Sequence, residues 1–422
     1  MREYVVVLLT AGLVTFLATP VVRLAAVRLR MMAAPRERDV HTIPTPRGGG
    51  VAMYLGVAAA VLVATRLPAL QRTFDDSQTA AVLVAGGLIC ALGVLDDKFG
   101  LDALTKLTGQ IAAAGVMVLL GVQLAFVFLP VADIGTLSLG PDIGVPLTLL
   151  LTVATVNALN FIDGLDGLAA GVSAIAALAF FAYSYDLGVE GYDDIASAPT
   201  LITAVLAGAC LGFLPHNFSP ARIFMGDSGS MLVGLMLAAA AVSATGQADP
   251  QTFDSAATLL PLALPLLVPI AVLSIPFIDL VMAVVRRSLR GRSPFSPDKM
   301  HLHHRLLAIG HSHRRAVLVM YFWAALLSFG AVGLAITGGR VELVASIAVL
   351  LVLGVVVVLS PRTRRAAREA RAAELAAQRQ RSRADHPTAR AVRAAASATP
   401  ATASTPARPG DPAATPSPQG VR

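Results

Sequence analysis

Long apolar stretches recur through almost the whole chain, and they constrain its fold more than any other feature. Each reaches or approaches the roughly 20 residues that an α helix needs to cross a bilayer core of about 30 Å. Hydrophobic residues make up 55% of the chain and charged residues only 14%, which is unlike a soluble domain. The sequence predicts an all-α, polytopic membrane protein with about eleven transmembrane helices. The expected spans lie near 4–22, 49–67, 80–95, 107–127, 145–159, 167–184, 199–215, 229–245, 257–285, 316–337 and 341–360.

Four of these runs contain features that bear on their number, processing or cross-linking. The run at 257–285 contains four prolines and predicts one kinked or tilted helix rather than two. The first run is expected to be retained, since no small-residue cleavage site is evident and more spans follow. Cys90 and Cys210 both fall inside predicted spans, so no disulfide is expected.

Basic residues are distributed unevenly between the two sets of loops. If the N-terminus is outside, the outward segments hold only Arg2, Arg66, Arg72 and Arg340 of the 33 Lys and Arg residues. The positive-inside rule therefore predicts an outside N-terminus and a cytoplasmic C-terminus. Every polar cluster described below then lies on the cytoplasmic side, which implies a polar, cytosolic substrate. The outward stretch VADIGTLSLGPDIG is expected to form a small hairpin.

Composition changes near Pro361. Residues 1–360 are expected to form the membrane-embedded domain. Residues 361–422 are first rich in Ala, Arg and Glu, and then in Ala, Pro, Thr and Ser. The opening part of this cytoplasmic tail is a candidate surface helix drawn to anionic lipid heads, and the rest is expected to be largely disordered.

Asp96 and Asp97 lie where the third predicted span ends, in the stretch LDDKFGLDALTK. Adjacent carboxylates at the negative end of a helix dipole repel each other unless a cation offsets them. A divalent metal ion is one remedy. A solvated acidic loop neutralised by Lys98 and Lys106 is an equally weighted alternative.

The stretch NALNFIDGLDGLAAG places Asn157, Asn160, Asp163 and Asp166 at the junction of two apolar runs. If the sixth span begins here, the two aspartates point from one face of its first turn. Either could simply cap that helix. Capping does not explain the two asparagines, because unpaired amides in lipid are costly. The set therefore indicates a polar site.

In FMGDSGS, Asp227 could cap the eighth span or serve as a further metal-binding carboxylate. Gly226 and Gly229 would allow the backbone to approach a phosphate. The string is similar to the sequence around a serine protease nucleophile, but no base and orienting acid accompany it.

A cluster of basic and histidine residues occupies the longest cytoplasmic loop. These residues could grip a phosphate or sugar, or could form an exposed basic loop; zinc binding is not favoured, since no cysteine is nearby. They are His301, His303, His304 and Arg305.

The loop HTIPTPRGGG is stiffened by its prolines, but by itself it is only a weak signal of function, and it is not a Walker A loop. Together, the carboxylates, amides and histidines converge on one membrane face, as expected for a metal-assisted reaction on a phosphorylated molecule.

The ordered motifs PTPRGGG, LDDKFG, NALNFIDGLDGLAAG, FMGDSGS and SPFSPDKMHLHHRL resemble those of the polyprenyl-phosphate N-acetylhexosamine-1-phosphate transferases of glycosyltransferase family 4. The resemblance covers roughly residues 1–360. It implies ten or eleven membrane helices and a transfer of sugar 1-phosphate from a UDP-sugar to a polyprenyl phosphate, with release of UMP. It also implies dependence on Mg²⁺, with Mn²⁺ as an alternative ion, and a role in cell-wall or surface polysaccharide synthesis.

The resemblance assigns roles by matching motif. Asp96 and Asp97 match the paired aspartates at the reacting phosphates, and Asp227 matches the Mg²⁺-binding aspartate. The remaining matches are Asn160, Asp163 and Asp166 for nucleotide and metal binding, Lys106 for a basic residue after the paired aspartates, and His301, His303 and His304 for the histidine motif, with Arg305 beside them. We predict that Asp96, Asp97, Asp163 and Asp166 are catalytic, and that Asp227 and Asn160 hold the metal ion. Lys106, Asn160, His301, His303, His304 and Arg305 are predicted to bind substrate.

Two details refine the expected substrate. Some family members carry a third acid where this chain has Gly100, with Asp102 two residues further on, so a role for a third carboxylate is in doubt. The spaced form HLHHR is more similar to the N-acetylglucosamine enzymes than to the muramoyl-pentapeptide enzyme, whose histidines are consecutive. UDP-GlcNAc is therefore the expected donor, with UDP-muramoyl-pentapeptide as the alternative.

The expected partners are a UDP-sugar, a polyprenyl phosphate and the bacterial plasma membrane, with a homodimer as an open option and no nucleic acid. Direct attack of the lipid phosphate, with Asp96 or Asp97 removing a proton, competes with a covalent aspartyl-phosphate route. A transporter and a scaffold acting through its basic tail are alternatives of other classes. A transporter would place its polar groups near the bilayer midplane, whereas here they crowd one face.

Overall fold

The computed structural model describes residues 1–33, 44–129, 135–191, 197–247, 268, 270–289, 306, 311–337 and 340–359. These residues belong to one compact unit, Met1–Ala367. The predicted tail, 361–422, and His301, His303, His304 and Arg305 lie outside the described residues.

The described chain is mostly helical, as predicted, and contains eleven α helices. They are α1 (Arg2–Arg28), α2 (Gly49–Ala64), α3 (Gln78–Phe99), α4 (Ala103–Leu119), α5 (Pro141–Ile162), α6 (Leu168–Gly191), α7 (Ala198–Asn217), α8 (Gly226–Gln247), α9 (Ser274–Leu289), α10 (His313–Ile336) and α11 (Val341–Leu359). A 3-10 helix, Pro68–Phe74, follows α2 with a bend of 111°.

Seven of the helices in the described ranges are long and apolar enough to cross a membrane: α1, α3, α5, α6, α7, α8 and α10. The count reaches eight if α2 and the 3-10 helix form one broken span, while α4 and Val341–Val355 of α11 are shorter apolar helices. Each predicted span overlaps a helix, but 257–285 overlaps only α9 in the described residues. The count of about eleven spans stays a prediction, as does the orientation.

Two short antiparallel ribbons interrupt the helices. Met32–Ala33 (β1) pairs with Thr45–Pro46 (β2), which no pattern in the sequence predicts. Phe126–Leu129 (β3) pairs with Gly135–Ser138 (β4). Only β4 lies within the stretch predicted to form a hairpin, residues 131–144; its partner β3 precedes that stretch and begins inside the predicted fourth span. That span was placed too late, because α4 begins at Ala103 and ends at Leu119.

The centre of the molecule is formed by α6, α7 and α8. All residues of an 18-residue apolar window in α8 are buried, against 22% of the residues of such a window in α1. Helices α3 and α5 pack on α8, α1 packs on α2 and α7, and α10 packs on α6. Small residues dominate α8, which lets neighbouring backbones approach closely.

Helix ends gather at one end of the bundle, called here the polar end. Helix α3 ends and α4 begins there, and so do the last turn of α5 and the first turn of α8. Contacts among Asp97, Lys106, Asn160 and Asp227 join these four helix ends directly. The polar residues of four separate sequence segments therefore share one location.

Candidate active site

The site is organised around the first turn of α8. The backbone N–H of Asp227 donates to Asp97 Oδ1 at 3.0 Å, and that of Ser228 donates to Asp97 Oδ2 at 3.2 Å. Two of the orphan donors of this helix end are thereby satisfied by a side chain of α3. Gly226 has a φ of 71°, and a Cβ there would collide with the Asp97 carboxylate, so this position favours glycine.

This arrangement corrects two expectations about FMGDSGS. Asp227 does not cap α8, because it lies inside the first turn and its side chain points to other residues. The backbone around Gly226 is occupied by carboxylates rather than open to a phosphate, and Gly229 packs against Gly50. Both deviations arise because Asp97 comes from a distant helix that no local pattern reveals.

Lys106 connects two of the predicted aspartates. Its Nζ lies 2.8 Å from Asp96 Oδ2 and 2.6 Å from Asp227 Oδ1. Asp96 also accepts the backbone N–H of Leu101 at 2.8 Å. Asp96 and Asp97 are each 9% exposed, so they do not form a solvated acidic loop. Lys106 supplies the positive charge that buried carboxylates require.

The amides of NALN are satisfied within the bundle. The Asn160 amide nitrogen donates to Asp227 Oδ1 and, at 3.0 Å, to Ser230 Oγ. Asn157 donates to Gln110 Oε1 at 2.8 Å and to the backbone carbonyl of Val153. Asn160 thus lies beside Asp227, whereas Asn157 binds Gln110 and the backbone of its own helix.

Asp163 lies next to the same helix end, as the C-cap residue of α5. Its side chain is half-buried, and lost hydration raises its pKa well above the usual range; the negative charges of Asp227 and Asp97 raise it further. Arg47 and the Gly226 N–H lower this pKa, but they do not outweigh the other causes. Asp163 thus holds a proton more readily than an ordinary aspartate.

The Asp166 side chain contacts the segment that follows α7. It is 5% exposed, and its Oδ2 accepts the backbone N–H of Ala221 at 3.0 Å. Helix α6 begins at Leu168, so Asp163 and Asp166 lie in the turn that precedes the helix. The prediction that they lie in its first turn is therefore wrong. The two glycines of DGLDG delay the helix start, which is why the expected common helix face does not form.

Some residues of the site were not predicted. Arg47 follows β2 and acts electrostatically on Asp163, although its loop gave only a weak signal. Ser230 binds Asn160, and its position three residues after Asp227 was the one available clue. Asp102 caps α4 through Leu104 and Thr105, consistent with the doubt about a third acid.

The donor set suits a small, hard cation. Asp227 and the nearby Asp163 offer carboxylate oxygens, which are ligands that Mg²⁺ prefers; Asn160 turns its amide nitrogen towards Asp227, so its oxygen would face an ion there once the amide rotates. Among the described ranges, no three His, Cys, Asp or Glu side chains are arranged as ready ligands for one ion. Because Mg²⁺ is commonly held by one or two carboxylates plus substrate phosphates and water, the residues present fit it.

Several known proteins are similar in sequence to this chain. Residues 79–245 match the family described as glycosyl transferase family 4. A Mycolicibacterium smegmatis protein called decaprenyl-phosphate N-acetylglucosaminephosphotransferase is 52% identical over 83% of this chain and 87% of its own length. A protein of the same name from Mycobacterium tuberculosis is 51% identical over 78% of this chain and 82% of its own. A Bacillus subtilis protein, "Probable undecaprenyl-phosphate N-acetylglucosaminyl 1-phosphate transferase", is 34% identical over 79% of this chain and 85% of its own length.

Proposed function

This chain belongs to glycosyl transferase family 4, and from that premise we propose that it transfers N-acetylglucosamine 1-phosphate from UDP-GlcNAc to a polyprenyl phosphate. The products are polyprenyl-diphosphate-GlcNAc and UMP. The names of the relatives that are 50% identical or more favour decaprenyl phosphate as the acceptor. They are transferases, and they give no support to a transporter.

One observation carries the proposal beyond the family assignment. Asp96 and Asp227 share Lys106, Asn160 binds Asp227, and Asp97 holds the backbone of Asp227. Transfer between two phosphates needs positive charge and fixed oxygen ligands at one point. A cluster at helix ends also lets a lipid keep its chain in the bilayer while its phosphate meets a water-soluble nucleotide.

Each side chain then has a specific task. Asp227, with Asn160, would hold Mg²⁺, which when bound neutralises charge that builds on the diphosphate. Lys106 and Arg47 add positive charge beside the reacting phosphates. We favour direct attack of the lipid phosphate on the sugar-bearing phosphorus, with UMP as the leaving group. Asp96 or Asp97 would remove any remaining proton: Asp96 accepts the Lys106 ammonium and the Leu101 N–H, and Asp97 accepts two backbone N–H groups.

The site is proposed to face the cytoplasm of a bacterial cell, with the chain crossing the plasma membrane about eleven times. This orientation rests on the excess of Lys and Arg in the loops on that side. It gives the site access to cytosolic UDP-sugars.

Purified protein in lipid nanodiscs tests the proposal. With Mg²⁺, decaprenyl phosphate and UDP-GlcNAc, we expect UMP release and a decaprenyl-diphosphate-GlcNAc product by mass spectrometry. Chelation of the metal and Asp227→Asn should each abolish turnover. Turnover with UDP-muramoyl-pentapeptide alone would reassign the donor, and no UMP from either donor would overturn the transferase assignment.

A further inference from the structure

The turn that carries Asp163 and Asp166 is held by residues outside the proposed catalytic set. The backbone N–H of Asp166 donates to Nε2 of His313 at 3.2 Å. The next residue, Gly167, donates its N–H to Asn217 Oδ1 at 3.1 Å and accepts the Tyr321 hydroxyl at its carbonyl. Three consecutive peptide groups of this turn are therefore fixed by side chains of α7 and α10.

Close packing reinforces these hydrogen bonds. The Tyr321 ring lies against Gly171, where a Cβ would overlap the ring, and its hydroxyl lies near Gly167. Gly167 has a φ of 78°, so the backbone at the clamped position adopts a conformation that favours glycine. The first turn of α10 is in addition anchored by Arg314, which donates to the carbonyl of Ser219.

We infer that His313 is a positioning residue: through the Asp166 N–H it fixes the turn whose first residue, Asp163, faces the start of α8. Asp163 is three residues from Asp166, and its carboxyl interacts with the Gly226 N–H and with the charges of Asp97 and Asp227. Loss of the His313 contact frees one peptide group of the turn and lets Asp163 shift relative to Asp227. The same contact links the start of α10, and so the end of the loop that precedes it, to the catalytic cluster.

The chemistry of the contact predicts which substitutions preserve it. Nε2 is the acceptor, so His313 acts here as a neutral imidazole with its proton on Nδ1. Glutamine offers an oxygen acceptor at similar reach, and alanine offers none. The inference rests on the proposed function for its kinetic readout, but exposure of the turn can be measured without turnover.

The experiment compares His313→Ala, His313→Gln and the control Arg315→Gln, an exposed residue two positions along α10. Wild-type turnover is measured first, so that failure of the proposed function is recognised before the variants are read. We expect kcat to fall about 10- to 100-fold in His313→Ala, with KM for UDP-GlcNAc changing less than about threefold, as for a misplaced catalytic group. His313→Gln should recover to within about threefold of wild type, and Arg315→Gln should match wild type.

Hydrogen exchange provides the second readout. The peptide covering residues 163–170 should exchange faster in His313→Ala than in wild type or His313→Gln, and this holds whatever substrate the protein uses. Tyr321→Phe keeps the ring and removes the hydroxyl, so it should give the same changes if the alanine variant does not fold. The inference is overturned if His313→Ala has the same kcat and the same exchange rate as wild type. If His313→Ala does not fold, the same result in Tyr321→Phe overturns it. Glutamine as poor as alanine would also overturn it, because the imidazole would then act on substrate directly.

Discussion

At the scale of single residues, Lys106 is the centre of charge balance in the site. It lies within 2.8 Å of Asp96 and 2.6 Å of Asp227, in a pocket where both carboxylates are largely buried. A buried carboxylate that loses its cation is left unpaired, which is costly. Lys106 is therefore the main counter-charge of Asp96 and Asp227, with Arg47 as a further positive charge beside the site.

We predict that Lys106→Ala lowers kcat/KM at least about 100-fold, the size typical of losing one electrostatic contact to a transition state. Lys98→Ala is the matched control, because Lys98 follows Asp97 in the last turn of α3, is exposed and lies over the Phe99 ring. UMP release measured for both variants decides the matter. Equal loss in the two variants would mean that charge near the site, rather than the bridge, is required.

Asp163 supports a prediction about stability. Its pKa is raised in the folded protein, so the folded state binds a proton over a pH range in which the unfolded state has lost it. Asp163 therefore destabilises the folded protein at pH values above its pKa in the unfolded state. This destabilisation increases as the pH rises towards its pKa in the folded state.

Asp163→Asn should consequently abolish turnover yet raise the melting temperature at pH 7 to 8, with the gain shrinking as the pH falls towards 4. Thermal unfolding in detergent with the metal chelated measures this, since a bound cation would stabilise the carboxylate. Asp102→Asn, at an exposed helix cap, is a useful contrast and should lower stability at neutral pH. A destabilised Asp163→Asn that worsens with rising pH would contradict the assigned cause.

At the scale of helices, the geometry of the site depends on how closely α3 approaches α8. A Cβ at Gly93 would collide with the backbone of Ser228 and Asp227. One methyl group at this point must push apart the helices that carry Asp97 and Asp227. Overpacking of this kind commonly costs about 1–3 kcal/mol.

We therefore expect Gly93→Ala to lower both the melting temperature and kcat. Gly115→Ala in α4 is the control: no atom lies within 4 Å of a Cβ built there, and alanine favours a helix. Gly115→Ala should keep wild-type activity and equal or higher stability. Normal activity in Gly93→Ala would show that the α3–α8 spacing does not set the site.

At the scale of the whole molecule, the polar end and the β3–β4 hairpin lie at opposite ends of the helices that join them. Helix α5 begins just after the hairpin, has 22 residues and ends at Ile162, directly before Asp163. At 1.5 Å per residue, about 33 Å separates its ends, which is the thickness of a bilayer core. The positive-inside rule assigns the polar end to the cytoplasm.

Cysteine labelling in intact cells tests that assignment. A membrane-impermeant thiol reagent should label Ser138→Cys and leave Lys98→Cys unlabelled until the cells are lysed. Both positions are exposed, while the natural Cys90 and Cys210 are buried and provide a low background. Labelling of Lys98→Cys alone in intact cells would reverse the proposed orientation.

The sequence by itself determined the class of fold, the existence of most helices and the family. Hydrophobic runs as long as a bilayer is thick can hardly form anything but helices, because lipid offers no partner for an open backbone. The motifs identified Asp96, Asp97, Lys106, Asn160 and Asp227, since polar residues at the ends of apolar helices need a reason to be there. Local spacing was a poorer guide at DGLDG, where two glycines delay the start of α6.

Only the tertiary structure decided which partners these residues have. Asp97 holds the first turn of α8, Lys106 joins Asp96 to Asp227, and His313 holds the turn of Asp166, across separations of about 100 residues or more. Hydrophobic periodicity reports which way a helix faces but not which helix it meets. The difference between a carboxylate that carries chemistry and one that positions a helix is set by those long-range contacts.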